Sequence, residues 1–415
     1  MTLKELDYWE DSFRSFHARF SHLFPRAQSR EQSAKYLHSL LAPVERKNGW
    51  QMAEAIGDKR PDKMERLLYR VNWDADEARD ILEQFVIENF ADPEGIGVVD
   101  ETGFIKKGDK SVGVKRQYTG TAGKVENSQV GTFLTYSSAK GHVFLDRRLF
   151  LPEDWANDMV RRKGAKVPDE VVFETKPEQA FSMLDHAWKM GVPIRWVTGD
   201  EIYGDSPKLR AAIQESGHWY VLAVSCNTPV WTRRPLLQQP LRKGMGRPPT
   251  RVRLAKDAPH AGTVAEVVMG WSPDVWKRFS VAKGEKGPRT YDWARVRVIE
   301  SRGKLPGPEV WLLARRSVAK PEEMAYYLCF APENVPLTRL AQVASTRYTI
   351  EQCFEEGKGE AGLDHYEVRY WHSWHRHITL SMMAHTWLSS IRASEEGKKR
   401  RRAGRADSSR GEATA

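Results

Sequence analysis

Three charged residues, Arg347, Glu351 and Lys358, are spaced so that a single helix would carry them on one side. Their segment, residues 340–362, has helical periodicity, and offsets of four and seven residues return to nearly the same angle at about 3.6 residues per turn. A carboxylate between two cations could bind a metal ion close to a bound polyanion. The two cations would then contact the phosphates of the polyanion. The simpler interpretation is a solvated face stabilised by ion pairs.

Two aspartates upstream each follow a short apolar run. The run 95–100 ends at Asp100 before turn-forming residues, and the run 193–200 ends in the same way at Asp200. Because the carboxyl ends of strands face the functional crevice of open α/β sheets, both carboxylates are candidate site residues. Together with Glu351 they would form an oxygen-ligand set suited to two Mg²⁺ ions, for which Mn²⁺ can substitute. The alternative is that each aspartate only caps a helix or forms a turn.

Such a pair of ions would lie about 3.5–4 Å apart, activate a water and stabilise the leaving oxygen of a phosphodiester.

The elements that would position the carboxylates follow a recognisable order: the strand ending at Asp100, a hairpin (129–136 and 142–150), a helix (177–190), the strand ending at Asp200, a helix (206–215) and a strand (218–224). This is the ribonuclease-H-like plan, an α/β fold with a mixed sheet and flanking helices. In that plan the first and fourth strands are neighbours, which predicts that Asp100 and Asp200 meet.

The remaining sequence predicts further domains around this core. Residues 1–92 are predicted to form a helical domain for DNA binding or assembly, with helices at 3–24, 29–41, 50–56 and 75–89. A bundle used only for dimer packing fits almost as well. The catalytic core occupies 93–225 and 337–394, the second part with C-terminal helices. Between them, 226–336 is a β-rich insertion with strands predicted at 263–271, 293–300, 310–315 and 324–330. A disordered basic tail is predicted at 395–415.

Charge favours a polyanionic partner. The chain of 415 residues has 65 Lys and Arg against 55 Asp and Glu, a net charge of +10. The segment 233–256 carries eight basic residues, four prolines and no acidic residue, which predicts a mobile loop along phosphates, although it could only solvate the surface. Its candidate DNA-binding residues are Arg242, Lys243, Arg247 and Arg251.

Three stretches resemble DDE transposases of bacterial cut-and-paste insertion sequences, above all the group called insertion sequence family 701. They are VVDETGFIKKGDKSVGVKRQYTG around Asp100, VTGDEIYGD around Asp200 and TRYTIEQCFEEGKGEAGLDHYEVRYW around Glu351. Related groups share a motif written Tyr-x2-Arg-x3-Glu-x6-Lys, which Arg347, Glu351 and Lys358 match, whereas Ala344 stands at the tyrosine position. The resemblance covers roughly residues 1–390.

The resemblance implies an enzyme that binds terminal inverted repeats, excises the element and joins it to a target, with divalent metal and without a covalent protein–DNA intermediate. Several relatives pass through a DNA hairpin. Relatives also carry a β-stranded insertion over the active site that can hold a flipped base against an aromatic ring, for which Trp231, Trp271, Trp276 and Trp293 are candidates; core packing is the common role of tryptophans in strands.

The leading interpretation is therefore a metal-dependent transposase acting on double-stranded DNA, both terminal repeats and target, as a homodimer in the DNA-bound complex. The alternatives are a transposase-derived regulator or target-site factor without catalysis, and a nuclease of the same fold that cuts without joining. Three cysteines, no signal peptide and no run of about 18 apolar residues predict a bacterial cytoplasmic protein at the chromosome with no membrane segment.

Overall fold

The computed structural model describes residues 3–239, 251–284 and 287–411, and the chain divides into two units. The first unit comprises Met1–Ile194 and Thr349–Ala415, and the second comprises Arg195–Tyr348. Within the described ranges, no helix combines the length and the apolar character that crossing a bilayer requires. The division of the chain into five segments stays a prediction.

Helices form the start of the first unit: α1 (Leu3–Ala18), α2 (Ala27–Leu41), α3 (Gly49–Ala55), α4 (Asp62–Tyr69) and α5 (Ala75–Phe90). The sequence predicts these helices except α4. The α5 helix begins at Asp74, whose side chain accepts hydrogen bonds from the backbone N–H groups of Asp76 and Glu77. Its apolar side is buried, and the Phe85 ring packs edge-on against Phe16 of α1 at 4.8 Å.

Four antiparallel strands follow: β1 (Gly95–Ile105), β2 (Lys115–Thr119), β3 (Lys124–Ser138) and β4 (Gly141–Phe150). The predicted β3–β4 hairpin is confirmed. The expectation that β1 stops at Asp100 is wrong, because the strand continues to Ile105 and pairs with β3 along its length. The Glu-Thr-Gly sequence after Asp100 has local turn character, but the long neighbouring strand offers it hydrogen-bond partners.

The two faces of this sheet are covered by different helices. Directly opposite residues of an antiparallel pair share a face, so Glu101 of β1 and its partner Thr132 lie on the same side. The helix α8 (Lys176–Lys189) covers that side: Lys176 Nζ lies 2.6 Å from Glu101 Oε1, and Thr132 Oγ1 donates to Gln179 at 2.9 Å. The other side, which carries Asp100, is covered by α13 (Tyr348–Ala361) and α14 (Trp371–Gly411). Two short helices, α6 (Glu153–Ala156) and α7 (Met159–Gly164), precede α8.

The second unit is built on a mixed sheet whose strands are β5 (Ile194–Gly199), β6 (Trp219–Val224), β7 (Pro229–Trp231), β10 (Gly262–Thr263), β11 (Lys277–Gly284), β12 (Gly287–Arg302), β13 (Leu305–Ser317) and β14 (Met324–Phe330). The β5 and β6 strands are parallel, and β6, β14, β13 and β12 follow one another antiparallel. Its helices are α9 (Glu201–Gly204), α10 (Pro207–Glu215), α11 (Val264–Met269) and α12 (Leu337–Thr346). The predicted strand–hairpin–helix–strand–helix–strand order is present, and the ribonuclease-H-like α/β class with a β-rich insertion is confirmed.

Two local predictions in the second unit differ from the structure. The predicted strand 263–271 is instead the helix α11, because Thr263 and Glu266 form a reciprocal capping box that starts a helix. The basic loop is closed by a small ribbon of β8 (Leu237–Gln238) and β9 (Arg253–Leu254), with Leu237 opposite Leu254. Of the four candidate DNA-binding residues there, Arg251 is exposed, and Arg242, Lys243 and Arg247 lie outside the described residues.

At the C-terminus, α14 continues to Gly411, through the part where the sequence predicts a disordered tail. The run of lysine, arginine and alanine there consists of good helix formers, which allows the helix to propagate from its packed first half. That first half is anchored by buried polar residues. The guanidinium of Arg376 donates to the backbone oxygens of Leu68 and Trp73, and so ties α14 to the N-terminal helices.

A buried histidine on α14 makes the stability of the first unit depend on pH. His377 Nε2 lies 3.0 Å from the carbonyl oxygen of Gly362, so this nitrogen must donate, and Nδ1 accepts from the Tyr36 hydroxyl at 2.8 Å. Burial lowers the pKa of His377 to about 3. The unfolded chain therefore binds the proton more readily, and stability falls as the pH drops below about 6.5.

We expect His377→Gln to remove this dependence. Between pH 6.5 and 4.5, wild-type stability should fall by about 1.4 kcal/mol per pH unit more steeply than that of the variant. Urea unfolding at several pH values measures the two slopes. Parallel slopes would contradict a neutral, buried imidazole at this position. Replacement of the exposed His22 by Gln is the control and should leave the slope as in wild type.

Candidate active site

The first predicted metal ligand, Asp100, lies in the middle of β1. It is opposite Phe133 of β3, and Thr102, two residues further along β1, points to the same face. The backbone N–H of Glu101 donates to Asp100 Oδ1 at 2.8 Å, which orients the carboxylate. Asp100 is half-buried, so its side chain stays accessible from the α13 side of the sheet.

The helix α13 brings the second predicted ligand to this face. Its Phe354 packs edge-on against Phe133 with ring centroids 5.4 Å apart. Lys358 Nζ donates to Thr102 Oγ1 at 2.8 Å, which fixes the lysine over the strand that carries Asp100. Glu351 lies seven residues before Lys358, on the same side of α13. Glu351 and Lys358 therefore lie on the side of α13 that faces the strand with Asp100 and Thr102.

Lys358 is partly removed from water in this arrangement. Burial lowers the pKa of its ammonium group, and the carboxylate of Asp364 acts in the opposite direction. A second hydroxyl, Thr121 Oγ1, lies 3.3 Å from Nζ. The threonines were not anticipated from the sequence, since nothing in their spacing indicates that they would meet a lysine more than 200 residues away.

Arg347 lies outside α13, the helix that carries Glu351 and Lys358. The single helix expected over 340–362 is wrong: α12 ends at Thr346, α13 begins at Tyr348, and Arg347 forms the joint. The hydroxyl of Thr346 donates to the carbonyl of Gln342 at 2.9 Å, a bond that commonly bends a helix. Arg347 belongs to the second unit, where its charge opposes the burial that raises the pKa of Tyr327.

The third predicted ligand, Asp200, directly follows β5 in the second unit. Its Oδ1 accepts the backbone N–H of Ile202 at 2.9 Å, so it also caps the short helix α9. Gly204 at the end of α9 lies against β6 so closely that an added Cβ would be 1.6 Å from the carbonyl oxygen of Ala223. Arg210 of α10 donates to the Gly204 carbonyl. The close approach and the arginine fix the position of α9, and with it Asp200.

The four tryptophans proposed for base stacking divide into two pairs. Trp231 and Trp293 are buried, and Trp231 Nε1 donates to the Pro259 carbonyl at 3.1 Å, as expected for core residues. Trp271 and Trp276 are partly exposed neighbours with ring centroids 5.9 Å apart. Ala344, at the tyrosine position of the related motif, is buried in α12.

Comparison with known proteins adds independent information. The family described as DDE superfamily endonuclease matches residues 19–288. A curated relative, named a probable transposase for insertion sequence element IS701 of Microchaete diplosiphon, is 28% identical over 211 residues, which cover 50% of this chain and 52% of the relative. The match thus spans about half the length of that relative.

Among solved structures, the chain is similar to the piggyBac transposase in its synaptic complex with hairpin DNA. The TM-score is 0.42 and the identity 10%, with 88% of this chain and 67% of that chain covered.

Proposed function

Because the chain belongs to the DDE superfamily of endonucleases, we propose that it is a transposase of the insertion sequence family 701 type, which cuts and joins DNA. Its substrates would be the terminal inverted repeats of its element and a target duplex. The observation that supports the proposal is the hydrogen bond from Lys358 to Thr102, because it sets the side of α13 that also carries Glu351 against the strand that carries Asp100.

In this proposal Asp200 completes the site with Asp100 and Glu351. Three carboxylates are the oxygen donors that Mg²⁺ and Mn²⁺ prefer, and Asp100 and Asp200 are half-buried, each with one oxygen oriented by a backbone N–H group. Two divalent ions held there would supply an activated water or 3′-hydroxyl and stabilise the leaving oxygen. The protein's own part is to hold the carboxylates at fixed positions and to place the DNA strand over them.

The cations of the proposed site would bind the DNA backbone. Lys358, held by Thr102, would contact a phosphate beside the scissile bond, and Arg347 would bind the strand from the α12–α13 joint. The exposed Arg251 and the other basic residues of its loop would add contacts that do not depend on sequence. Pairing of two element ends requires two copies of the protein, so a homodimer is expected on DNA.

The test uses purified protein, a labelled duplex with the element's own terminal repeat, a target plasmid and either Mg²⁺ or Mn²⁺. We expect metal-dependent nicks or hairpins at the repeat boundary and joined products in the plasmid. Cleavage without joined products would identify a nuclease. Tight binding without cleavage in either metal would identify a regulator, and both results would contradict the proposal.

Replacement of Lys358 by alanine should weaken the positioning of the DNA strand. We expect cleavage of the terminal repeat to fall by about 10–100-fold, and the slope of log affinity against log salt to decrease by about 0.9, as for the loss of one phosphate contact. Binding titrations at several salt concentrations measure the slope. Lys189→Ala removes an exposed lysine paired with Asp185 and should change neither quantity. An unchanged slope in Lys358→Ala would exclude a phosphate contact.

A further inference from the structure

A second group of potential metal ligands lies between α5 and α8, and the sequence analysis did not detect it. Among the described residues, Asp80, Glu83 and His186 offer ligand atoms that all lie within 4.8 Å of one another. His186 Nε2 is 2.9 Å from Asp80 Oδ1 and 3.6 Å from Glu83 Oε2. Asp80 and Glu83 are three residues apart on α5, so they face the same direction. Such a spacing of two carboxylates is common in helices, and it becomes a potential metal site only because α8 places His186 beside it.

This cluster is separate from the proposed catalytic carboxylates. His186 is on α8, which covers the Glu101 side of the sheet, whereas Asp100 and α13 are on the other side. An open cavity of about 820 Å³, lined by residues of the first unit that include His186, gives solvent and ions access to the cluster. Asp80 is about one-third exposed, so one side of the cluster contacts solvent and the other side is buried.

Glu83 forms the buried side of the cluster, and its surroundings offer no hydrogen bond to an ionised carboxylate among the described residues. Its side chain is fully buried, and neither carboxylate oxygen has a hydrogen-bond partner among the described residues. Burial, together with the like charge of Asp146, raises the pKa of Glu83 to about 9. A buried carboxylate is normally paired, hydrogen-bonded or bound to a metal. The His186 imidazole lies beside Glu83, with Nε2 at 3.6 Å from Oε2.

The charged groups around the cluster have an excess of carboxylates over cations. Two arginines are paired with the carboxylates of this region: Arg79 with Asp80 at 2.6 Å and with Asp146 at 2.9 Å, and Arg147 with Asp76 at 2.7 Å. If a bound metal ion keeps Glu83 ionised, the four carboxylates of Asp76, Asp80, Glu83 and Asp146 face these two guanidinium groups. A bound divalent ion would neutralise this excess of two negative charges.

We propose that Asp80, Glu83 and His186 bind a divalent first-row transition ion, with Zn²⁺ as the best fit, and that the ion fastens α5 to α8. One imidazole and two carboxylates form a mixed nitrogen and oxygen set, which favours Zn²⁺ over Mg²⁺. A fourth position would be open to water from the cavity. Arg79 Nε, bonded to Asp80 Oδ1, would orient that ligand, as hydrogen-bonding partners of metal ligands commonly do.

The test measures zinc binding by chelator-treated full-length protein. After incubation with Zn²⁺ and gel filtration, wild type should retain one equivalent more than His186→Gln and Glu83→Gln. His372→Gln, which changes a histidine of the same cavity outside the cluster, should retain as much as wild type. Because the comparison is between variants, zinc held elsewhere on the chain cancels. Equal zinc content in wild type and both ligand variants overturns the proposal.

Thermal unfolding provides a second readout that does not depend on zinc recovery. Zn²⁺ should raise the unfolding temperature of wild type by several degrees and leave that of Glu83→Gln unchanged, because only the folded protein would present all three ligands together. Glu83→Gln keeps the side-chain shape and removes the carboxylate that would bind the ion, so it should fold without metal. If wild type shows no zinc-dependent shift, Glu83 is simply a protonated core residue and the proposal is wrong.

Discussion

Asp100→Asn should lower the rate of terminal-repeat cleavage by about a thousandfold or more while leaving DNA affinity within about threefold. The substitution keeps the size of the side chain and an oxygen that can accept the Glu101 N–H, but removes the charge that would hold a metal ion. Loss of several kcal/mol of transition-state stabilisation corresponds to this change in rate. Single-turnover cleavage of labelled duplex gives the rate, and a binding titration gives the affinity.

The matched control is the neighbouring residue. Glu101→Gln changes a carboxylate one position along β1 that points to the opposite face and pairs with Lys176. We expect cleavage in this variant within about threefold of wild type, since the side chain lies on the α8 side of the sheet and the backbone N–H that orients Asp100 is retained. Cleavage by Asp100→Asn at the wild-type rate would remove Asp100 from the site. Loss of both cleavage and binding in a folded Asp100→Asn protein would indicate a role in DNA recognition instead.

Arg210→Met should reduce the free energy of unfolding by about 3–5 kcal/mol. Arg210 and Glu300 form a buried ion pair, with Nη2 and Oε1 at 3.0 Å and both side chains almost fully excluded from water. The variant leaves Glu300 buried beside the partly exposed Arg302, whose Nε lies 2.8 Å from Oε1. The loss is large against a typical total stability of about 5–15 kcal/mol. Urea unfolding monitored by tryptophan fluorescence measures it.

A double variant separates the pair from the rest of the fold. Arg210→Met combined with Glu300→Leu replaces both charges by apolar groups, which is often close to neutral for a buried pair. We therefore expect the double variant to recover part of the stability that Arg210→Met loses. If the two single losses simply add, Arg210 and Glu300 act independently and the buried pair is not the cause. Because Arg210 also binds the carbonyl of Gly204, Arg210→Met should in addition slow cleavage through Asp200.

The resemblance to DDE enzymes that the sequence carries is confirmed by the family match over residues 19–288. The strand and helix order of the core was predictable because each element has its own local signal. Examples are the capping box at Thr175 and Glu178 that starts α8, and the continuous apolar and aromatic run of β14, whose bounds the prediction matches. Two predictions about strands were wrong. In β1 the turn-forming residues after Asp100 are overridden by hydrogen bonding to β3, and in α11 a helix cap overrides a run of residues typical of a strand.

Motif spacing located the candidate carboxylates but could not reveal their contacts. Glu351 and Lys358 remain on one side of α13 because their separation along the helix is a local property. Arg347 is separated from them by the break between α12 and α13, where the Thr346 hydroxyl donates to the Gln342 carbonyl, and no pattern of apolar residues predicts such a break. That Lys358 would bind Thr102 likewise depends on packing between distant segments.

The amino-acid sequence by itself determined the class of fold, the family and the positions of the predicted ligands, because periodicity, caps and motif spacing are local. Tertiary structure alone decided which face each residue occupies. It placed Asp100 and Lys358 on one side of the sheet, and it brought Asp80 and Glu83 to His186 on the other. The physical reason is that a register or a helix contact is set by burial summed over many residues, so that no short stretch of sequence contains it.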